Sequence, residues 1–188
     1  MTDTATHILD TAFELMIAKG YNSFSYKDIS KEVGIKTSSI HYHYPTKPDL
    51  AQAVVERYCG DFEATLEGIE RQSESGLKRI SLFSERLLKA FDKGRGFCLC
   101  VSLASDEKTL PSSITKKVSA FFGGALDWLA ANISLGQEQG DIKEELNPKL
   151  TANATLSLLE GAMVLARAHG DEKSLRNAQR WLNGVLQS

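Results

Sequence analysis

The chain has 188 residues, with 22 basic and 24 acidic side chains and a net charge of −2, which is typical of a globular protein and excludes a strongly basic one. Hydrophobic residues make up 42%, but no apolar run reaches the roughly 20 residues that span a bilayer, so we expect no membrane partner. The N-terminus lacks the basic start and apolar core of a signal peptide, and the three cysteines are an odd number, so a reducing cytoplasm is the expected compartment.

A first helix is predicted over residues 4–19. Its apolar side chains recur at helical spacing and form one stripe, which contains Ala5, Ile8, Leu9, Ala12 and Met16. Gly20 follows as a stop signal. We therefore expect an amphipathic helix with this stripe against a core.

Residues 24–47 contain the most informative pattern in the chain. They predict two short helices broken by a tight turn at Gly34, with a third helix beginning after Pro45. Four aliphatic side chains fall where two steeply crossing helices would pack together, namely Ile29, Val33, Ile35 and Ile40. Ser30 is small enough for the closest point of that crossing. This spacing is typical of a helix-turn-helix, in which the second helix inserts into a DNA major groove.

Two patterns mark helix starts in this region. Ser25-x-x-Asp28 and Thr46-x-x-Asp49 each resemble a capping box, with Asp in place of the usual Glu at the third position. The helix that begins at Thr46 presents its N-terminal amides beside Lys47. We expect this helix start to bind a phosphate.

The second helix of the motif predicts a DNA-reading face. If Ile40 points inward, the polar side chains at the start of the helix and on its outer face are Lys36, Thr37, Ser38, Ser39, His41 and Tyr42. These groups can form hydrogen bonds with bases and phosphates. Residues 1–50 hold five lysines, no arginine and six acidic residues. DNA affinity therefore has to come from the placement of the lysines, because total charge does not supply it.

Helical spacing continues through the rest of the chain. Helices are predicted at about 46–69, 75–92, 97–104, 111–138, 149–169 and 172–186, with glycine or proline at the breaks, including one at residues 94–96. About nine helices and no sheet indicate an all-α fold class. We predict an N-terminal three-helix bundle with the helix-turn-helix at 1–46, followed by a larger helical ligand-binding and dimerisation domain at 47–188.

The last two helices indicate an interface. Residues 156–166 are apolar nearly all round, so this helix must bury two faces. One face covers the protein's own core, and the other either meets a second subunit or makes the helix fully internal. The candidate dimer residues are Leu156, Leu159, Met163, Leu175 and Leu182.

Cys98 and Cys100 leave two interpretations open, buried packing or a thiol that senses oxidants and electrophiles. Positions two apart on a helix point about 200° apart, so we do not expect both at one site. His41 and His43 are separated in the same way, so no metal site is predicted. Neither a phosphate loop nor a catalytic triad stands out, and we predict no enzyme and no cofactor.

Several stretches at the head of the chain form one recognisable pattern. They are Gly20-Tyr21, Ser25-Tyr-Lys-Asp-Ile-Ser30, Val33-Gly-Ile35, Ser39-Ile-His-Tyr-His-Tyr-Pro-Thr-Lys47 and Leu50, all within residues 5–58. This pattern resembles the TetR/AcrR family of bacterial one-component repressors. By position in the motif, the resemblance implies DNA contacts by Tyr26, Lys27, Thr37, Ser38, Ser39, His41, Tyr42 and Lys47. The family usually has Tyr where His41 stands.

The C-terminal part resembles one branch of the family's ligand-binding domain, less specifically, in Cys98-Leu-Cys-Val-Ser-Leu-Ala-Ser-Asp-Glu107 and Leu159-Glu-Gly-Ala-Met163. The resemblance implies a homodimeric repressor that an unknown small-molecule effector releases from a palindromic operator in double-stranded DNA. The implied ligand pocket contains Phe62, Cys98, Phe121 and Trp128, although aromatic residues at this spacing also fit a core. The alternative for the whole chain is a thiol-based redox or electrophile-responsive protein, or a small helical enzyme, that uses Cys98 or Cys100.

Overall fold

The computed structural model describes residues 4–91 and 97–187. Within these ranges the chain forms nine α-helices: α1 (Thr4–Lys19), α2 (Tyr26–Val33), α3 (Thr37–His43), α4 (Lys47–Glu70), α5 (Gly76–Ala90), α6 (Leu99–Ser105), α7 (Ser112–Glu138), α8 (Pro148–His169) and α9 (Lys173–Leu186). Short 3-10 turns follow α1 and α6, and an antiparallel bridge joins Ile142 to Gln187. The all-α prediction is confirmed, whereas the predicted break at residues 94–96 lies outside the described residues.

The described residues form two compact units. The head unit contains residues 4–61 and 98–121, and the remaining described residues form the tail unit. Helices α4 and α7 each contribute to both units. The predicted boundary after residue 46 does not coincide with these units, because the first part of α4 and the α6 segment pack with the helix-turn-helix.

The core of the head unit is built from the aliphatic positions that the sequence pattern indicated. Helix α1 packs against α2, α3 and α6. Ile8 and Met16 of α1, Ile29 of α2, Ile40 of α3 and Leu50 of α4 are fully buried. Burying a side chain of this size stabilises the fold by about 1.5–3 kcal/mol. This core holds α3 in place with one face inside and the other in solvent.

The tail unit contains a very close approach between α5 and α7. A Cβ atom on Gly76 would lie 2.1 Å from the carbonyl oxygen of Asn132 and 2.6 Å from the backbone nitrogen of Gly136. Only glycine fits at Gly76, so the first turn of α5 rests directly on the backbone of α7. Helices α8 and α9 pack on each other, and α9 also packs on α5.

Helix α7 is, among the described residues, the one helix long and apolar enough to cross a membrane by length and composition. Its most apolar window has a mean hydropathy of 1.3, and 33% of that window is buried inside the structure. The buried side chains recur every three or four residues as Ile114, Val118, Phe121, Ala125, Leu129 and Ile133. Such a single stripe is typical of a helix that packs on one side against a protein core.

Candidate nucleic-acid interface

Helix α2 begins at the predicted cap. The backbone N–H and the hydroxyl of Ser25 both donate to Oδ2 of Asp28, at 2.8 and 2.7 Å. Lys19 Nζ lies 3.6 Å from the other oxygen, Oδ1. The Ser25 hydrogen bonds, and to a lesser degree Lys19, hold the pKa of Asp28 below its ordinary value. The carboxylate therefore stays charged at the positive end of the helix dipole, where a negative charge stabilises the helix.

The turn of the motif is closed by two hydrogen bonds. Gly34 adopts a left-handed conformation with φ of +75°, and its N–H donates to the carbonyl oxygen of Ser30 at 3.0 Å. The Ser30 hydroxyl donates to the carbonyl oxygen of Ile35 at 2.5 Å. Glycine is required here because other residues rarely adopt positive φ. The small side chain predicted at the helix crossing thus also fixes the angle at which α3 leaves α2.

Helix α3 presents a polar face on the side opposite Ile40. Tyr42 is 84% exposed and is the most exposed large apolar side chain in the described part of the chain. Among the predicted DNA contacts at the start and outer face of α3, the exposed side chains are Lys36, Ser38, His41 and Tyr42, and the half-buried ones are Thr37 and Ser39. Lys27 is exposed on α2. The structure brings these seven together with α2 and α3 as one polar surface.

Two of the predicted contacts have internal partners at the edge of this surface. The Tyr26 hydroxyl donates to the carbonyl oxygen of Tyr44 at 2.8 Å, and burial raises the pKa of Tyr26 to about 12. The rings of Tyr26 and His41 lie 4.6 Å apart at an angle of 55°. His41 Nδ1 lies 3.0 Å from the carbonyl oxygen of Pro45, which can only accept, so Nδ1 is the nitrogen that carries a proton. Nε2 remains for an outside partner.

Lys47 points into the head unit. Its Nζ donates to the carbonyl oxygen of Phe24 at 2.5 Å and lies 4.3 Å from the centre of the Phe24 ring and 4.9 Å from that of Tyr21. The start of α4 also has its own anion, because the N–H and hydroxyl of Thr46 donate to Oδ2 of Asp49 at 3.0 and 2.7 Å. The second predicted capping pattern is therefore present. The lysine ammonium, however, does not stand beside the helix start in the way the sequence suggested.

The segment around α6 is tied to the helix-turn-helix by contacts that sequence patterns did not reveal. Oδ2 of Asp106 accepts the N–H of Tyr21 at 2.9 Å. Asn22 Nδ2 donates to Oγ1 of Thr109 at 2.7 Å, and the Ser102 hydroxyl lies 3.4 Å from a carbonyl oxygen of α1. These pairs are separated by more than 80 residues, and no local signal marks such a pairing.

The cysteines form one cluster in the head unit. Cys98 and Cys100 are buried and Cys59 of α4 is half-buried. The Cys100 thiol is hydrogen-bonded to both other cysteines, and these bonds together with burial raise its pKa. The expectation that Cys98 and Cys100 point apart was wrong, because Cys98 precedes the first residue of α6 and is not helical. A thiol with a raised pKa is a poor nucleophile, which favours the packing interpretation for Cys100.

The predicted pocket residues fall in different units. In the tail unit, Phe62 and Trp128 both contact Phe83, with ring centres 6.1 and 5.7 Å apart, and Trp128 Nε1 donates to Oε1 of Glu70 at 2.8 Å. Cys98 and Phe121 belong to the head unit, where Phe121 packs on Tyr58 at 5.6 Å. Within the described ranges no group of three or more His, Cys, Asp or Glu side chains has an arrangement that could hold a metal ion.

The predicted dimer residues need correction. Leu156, Leu159, Met163, Leu175 and Leu182 are all buried within the protomer. They form the contact between the protomer's own helices and have almost no surface left for a second copy. The apolar side chains that α8 and α9 do expose are Val164, Leu165 and Trp181. With Leu158, Gly161 and Asn177 they line an open groove of about 780 Å³.

A helix-turn-helix on a small helical core, with a polar recognition helix and a larger helical unit after it, defines the class of helix-turn-helix transcriptional regulators. The family model described as bacterial regulatory proteins of the tetR family matches residues 8–54. The model described as tetracyclin repressor-like, C-terminal domain, matches residues 76–182. The chain belongs to the TetR family.

Solved structures and curated relatives agree with this assignment. A TetR-family transcriptional regulator from Agrobacterium tumefaciens is 34% identical, with a TM-score of 0.94 and 98% of each chain covered. A TetR transcriptional regulator from Legionella pneumophila is 32% identical, with a TM-score of 0.89, and covers 100% of this chain and 99% of its own. The HTH-type transcriptional repressor DhaR of Mycobacterium sp. (strain GP1) is 20% identical over 93% of this chain and 87% of its own length.

Proposed function

We propose that the protein is a cytoplasmic homodimeric repressor that binds a palindromic DNA operator and leaves it when a small molecule binds. The observation that carries the proposal is the two-sided character of α3. Ile40 is fully buried while Ser38 and Tyr42, on the opposite side, are exposed. A short helix fixed by its apolar side and polar outside fits the major groove. That the relative DhaR is named a repressor supports the direction of regulation.

The proposed DNA surface has a centre and an edge. At the centre are the exposed or half-buried side chains at the start and outer face of α3, which are Lys36, Thr37, Ser38, Ser39 and Tyr42. At the edge are Tyr26, Lys27 and His41. Lys47 belongs to the surface by its place at the start of α4, but its ammonium is engaged inside the head unit.

Binding of DNA is tested by fluorescence anisotropy with the duplex upstream of the protein's own gene, over a series of salt concentrations. We expect tight binding that weakens linearly in log–log form as salt rises, because phosphate contacts release counterions. Tyr42→Ala and Lys36→Ala should weaken binding by about tenfold each, since a lost direct contact is worth about 1–3 kcal/mol. Lys89→Ala, at an exposed lysine of α5, is the matched control and should leave binding unchanged. Binding that does not depend on salt, or that survives both α3 changes, would contradict the proposal.

The second copy is expected on the exposed apolar side of α8 and α9. A soluble chain rarely leaves a contiguous apolar groove open, and the groove lined by Leu165 and Trp181 is such a surface. Two copies related by a twofold axis would place their α3 helices about one DNA turn, roughly 34 Å, apart on a palindromic site. A ligand that binds the helical unit would release DNA only if it binds better to a spacing of the α3 helices that no longer matches the operator.

A further inference from the structure

The ammonium of Lys47 occupies a site made by the protein itself. Nζ donates to the carbonyl oxygen of Phe24 at 2.5 Å and lies over the faces of two aromatic rings, those of Phe24 and Tyr21. All of these partners belong to the segment between α1 and α2. A carbonyl oxygen and two ring faces supply the negative potential that an ammonium needs when it leaves water.

The charges around this site also favour an inward ammonium. Desolvation lowers the pKa of Lys47, and the carboxylates of Asp28 from α2 and Asp106 from the α6 segment oppose that effect. These two carboxylates are the charged groups named as acting on Lys47. If Lys47 turned outward to a phosphate, the Phe24 carbonyl would lose its donor and both ring contacts would be lost, for a contact in screened solvent.

The site lies at the corner between the recognition helix and α4. Lys47 is the first residue of α4, and α3 ends only a few residues earlier. The Tyr26 hydroxyl, which donates to Tyr44, ties the same corner to α2. We propose that Lys47 is a positioning residue, whose ammonium pins the α3–α4 corner to the α1–α2 segment and makes no phosphate contact. This inference rests on the proposed DNA-binding function.

The test separates a positioning role from a phosphate contact by the salt dependence of binding. The probe is a duplex enriched from a randomised pool by the wild-type protein, and each variant is measured where circular dichroism shows it to be fully folded. Lys47→Met keeps the aliphatic stem and removes the charge. We expect it to bind about tenfold or more weakly with an unchanged salt slope. Lys36→Met, at an exposed lysine beside α3, is the matched control and should reduce the slope by about 0.9 for each phosphate contact, or about 1.8 on two half-sites.

A second variant tests whether Lys47 acts through its aromatic partner. Phe24→Leu removes one ring and should also weaken binding with an unchanged slope, and it keeps the test open if Lys47→Met does not fold. Because both changes damage one contact, the double variant should bind about as weakly as Lys47→Met alone, whereas independent effects would add.

Three results would overturn the positioning role. They are a reduced salt slope in Lys47→Met, additive effects in the double variant, and unchanged affinity in a folded Lys47→Met whose melting temperature alone falls. If the wild-type protein enriches no duplex at all, it is the proposed DNA-binding function that fails. The two failures are therefore distinguishable.

Discussion

At the scale of the residue, Asp28 shows how a surface carboxylate supports the reading helix. It accepts two hydrogen bonds from Ser25 and lies near Lys19, and these contacts lower its pKa. Because the folded pKa lies below the unfolded one, the charged form contributes stability at neutral pH. That contribution is present above the ordinary value of 3.8 and is lost as pH falls through the lower folded value.

We therefore expect Asp28→Asn to lower the melting temperature at pH 7, and to do so less and less as the pH falls below about 4. Thermal unfolding followed by circular dichroism between pH 7 and pH 3 measures both effects. Glu32→Gln, at an exposed carboxylate on the same helix, is the control and should change the melting temperature little at any pH. A deficit of Asp28→Asn that stayed constant into acid would contradict this explanation.

The cysteine cluster makes a second prediction at this scale. Because burial and hydrogen bonds to Cys59 and Cys98 raise the pKa of the Cys100 thiol, this group stays protonated in the native protein. Iodoacetamide should therefore label Cys100 only after unfolding, as peptide mass spectrometry will show. Cys59, which is half-buried, is the internal comparison and should be labelled sooner. Rapid native labelling of Cys100 would instead favour the sensing interpretation.

At the scale of the element, the contact between α5 and α7 depends on one missing side chain. Gly76→Ala would place a carbon 2.1 Å from a carbonyl oxygen of α7, so the two helices must separate. We expect a loss of the order of 3 kcal/mol in the free energy of unfolding, measured by urea denaturation. Gly124→Ala is the matched control, because a Cβ there meets nothing within 4 Å, and it should stabilise the exposed helix by roughly 0.5–1 kcal/mol. Equal effects at the two glycines would argue against the close approach.

Local signals were enough to predict the elements. Gly34, Gly140 and Gly170 follow the ends of helices in left-handed conformation, and Pro148 begins one, so the predicted limits of the helices are close to those of the structure. The outward direction of Tyr42 followed from the helical period once Ile40 was placed inside. These predictions needed no contact between distant parts of the chain.

Contacts between distant residues decided what the sequence left open. Lys47 turns inward because the Phe24 carbonyl and ring are there to receive it, and periodicity carries no such information. Residues 156–166 are apolar on both sides, so sequence alone does not tell which side meets the protomer's own core. Cys98 lies just outside α6, a difference of one residue that reversed the expected direction of its thiol.

At the scale of the whole molecule, the exposed groove on α8 and α9 makes the assembly testable. Leu165→Glu would bury an unpaired carboxylate if a second copy covers the groove, and we expect the dimer dissociation constant to rise by about a hundredfold or more. Analytical ultracentrifugation over a range of concentrations measures it. Leu150→Glu is the control, because Leu150 is 71% exposed on the same helix but does not line the groove. A dimer that survives Leu165→Glu unchanged would place the interface elsewhere.

The hydrogen bond from Tyr21 to Asp106 has a consequence for how the protein is made. The ribosome delivers the helix-turn-helix early, but the carboxylate that receives the Tyr21 N–H, and the threonine that receives Asn22, arrive more than 80 residues later. The DNA-reading part is therefore first in the gene but not first to be finished. We expect nascent chains halted before residue 98 to expose the end of α1 to proteases, and chains that extend past residue 121 to protect it.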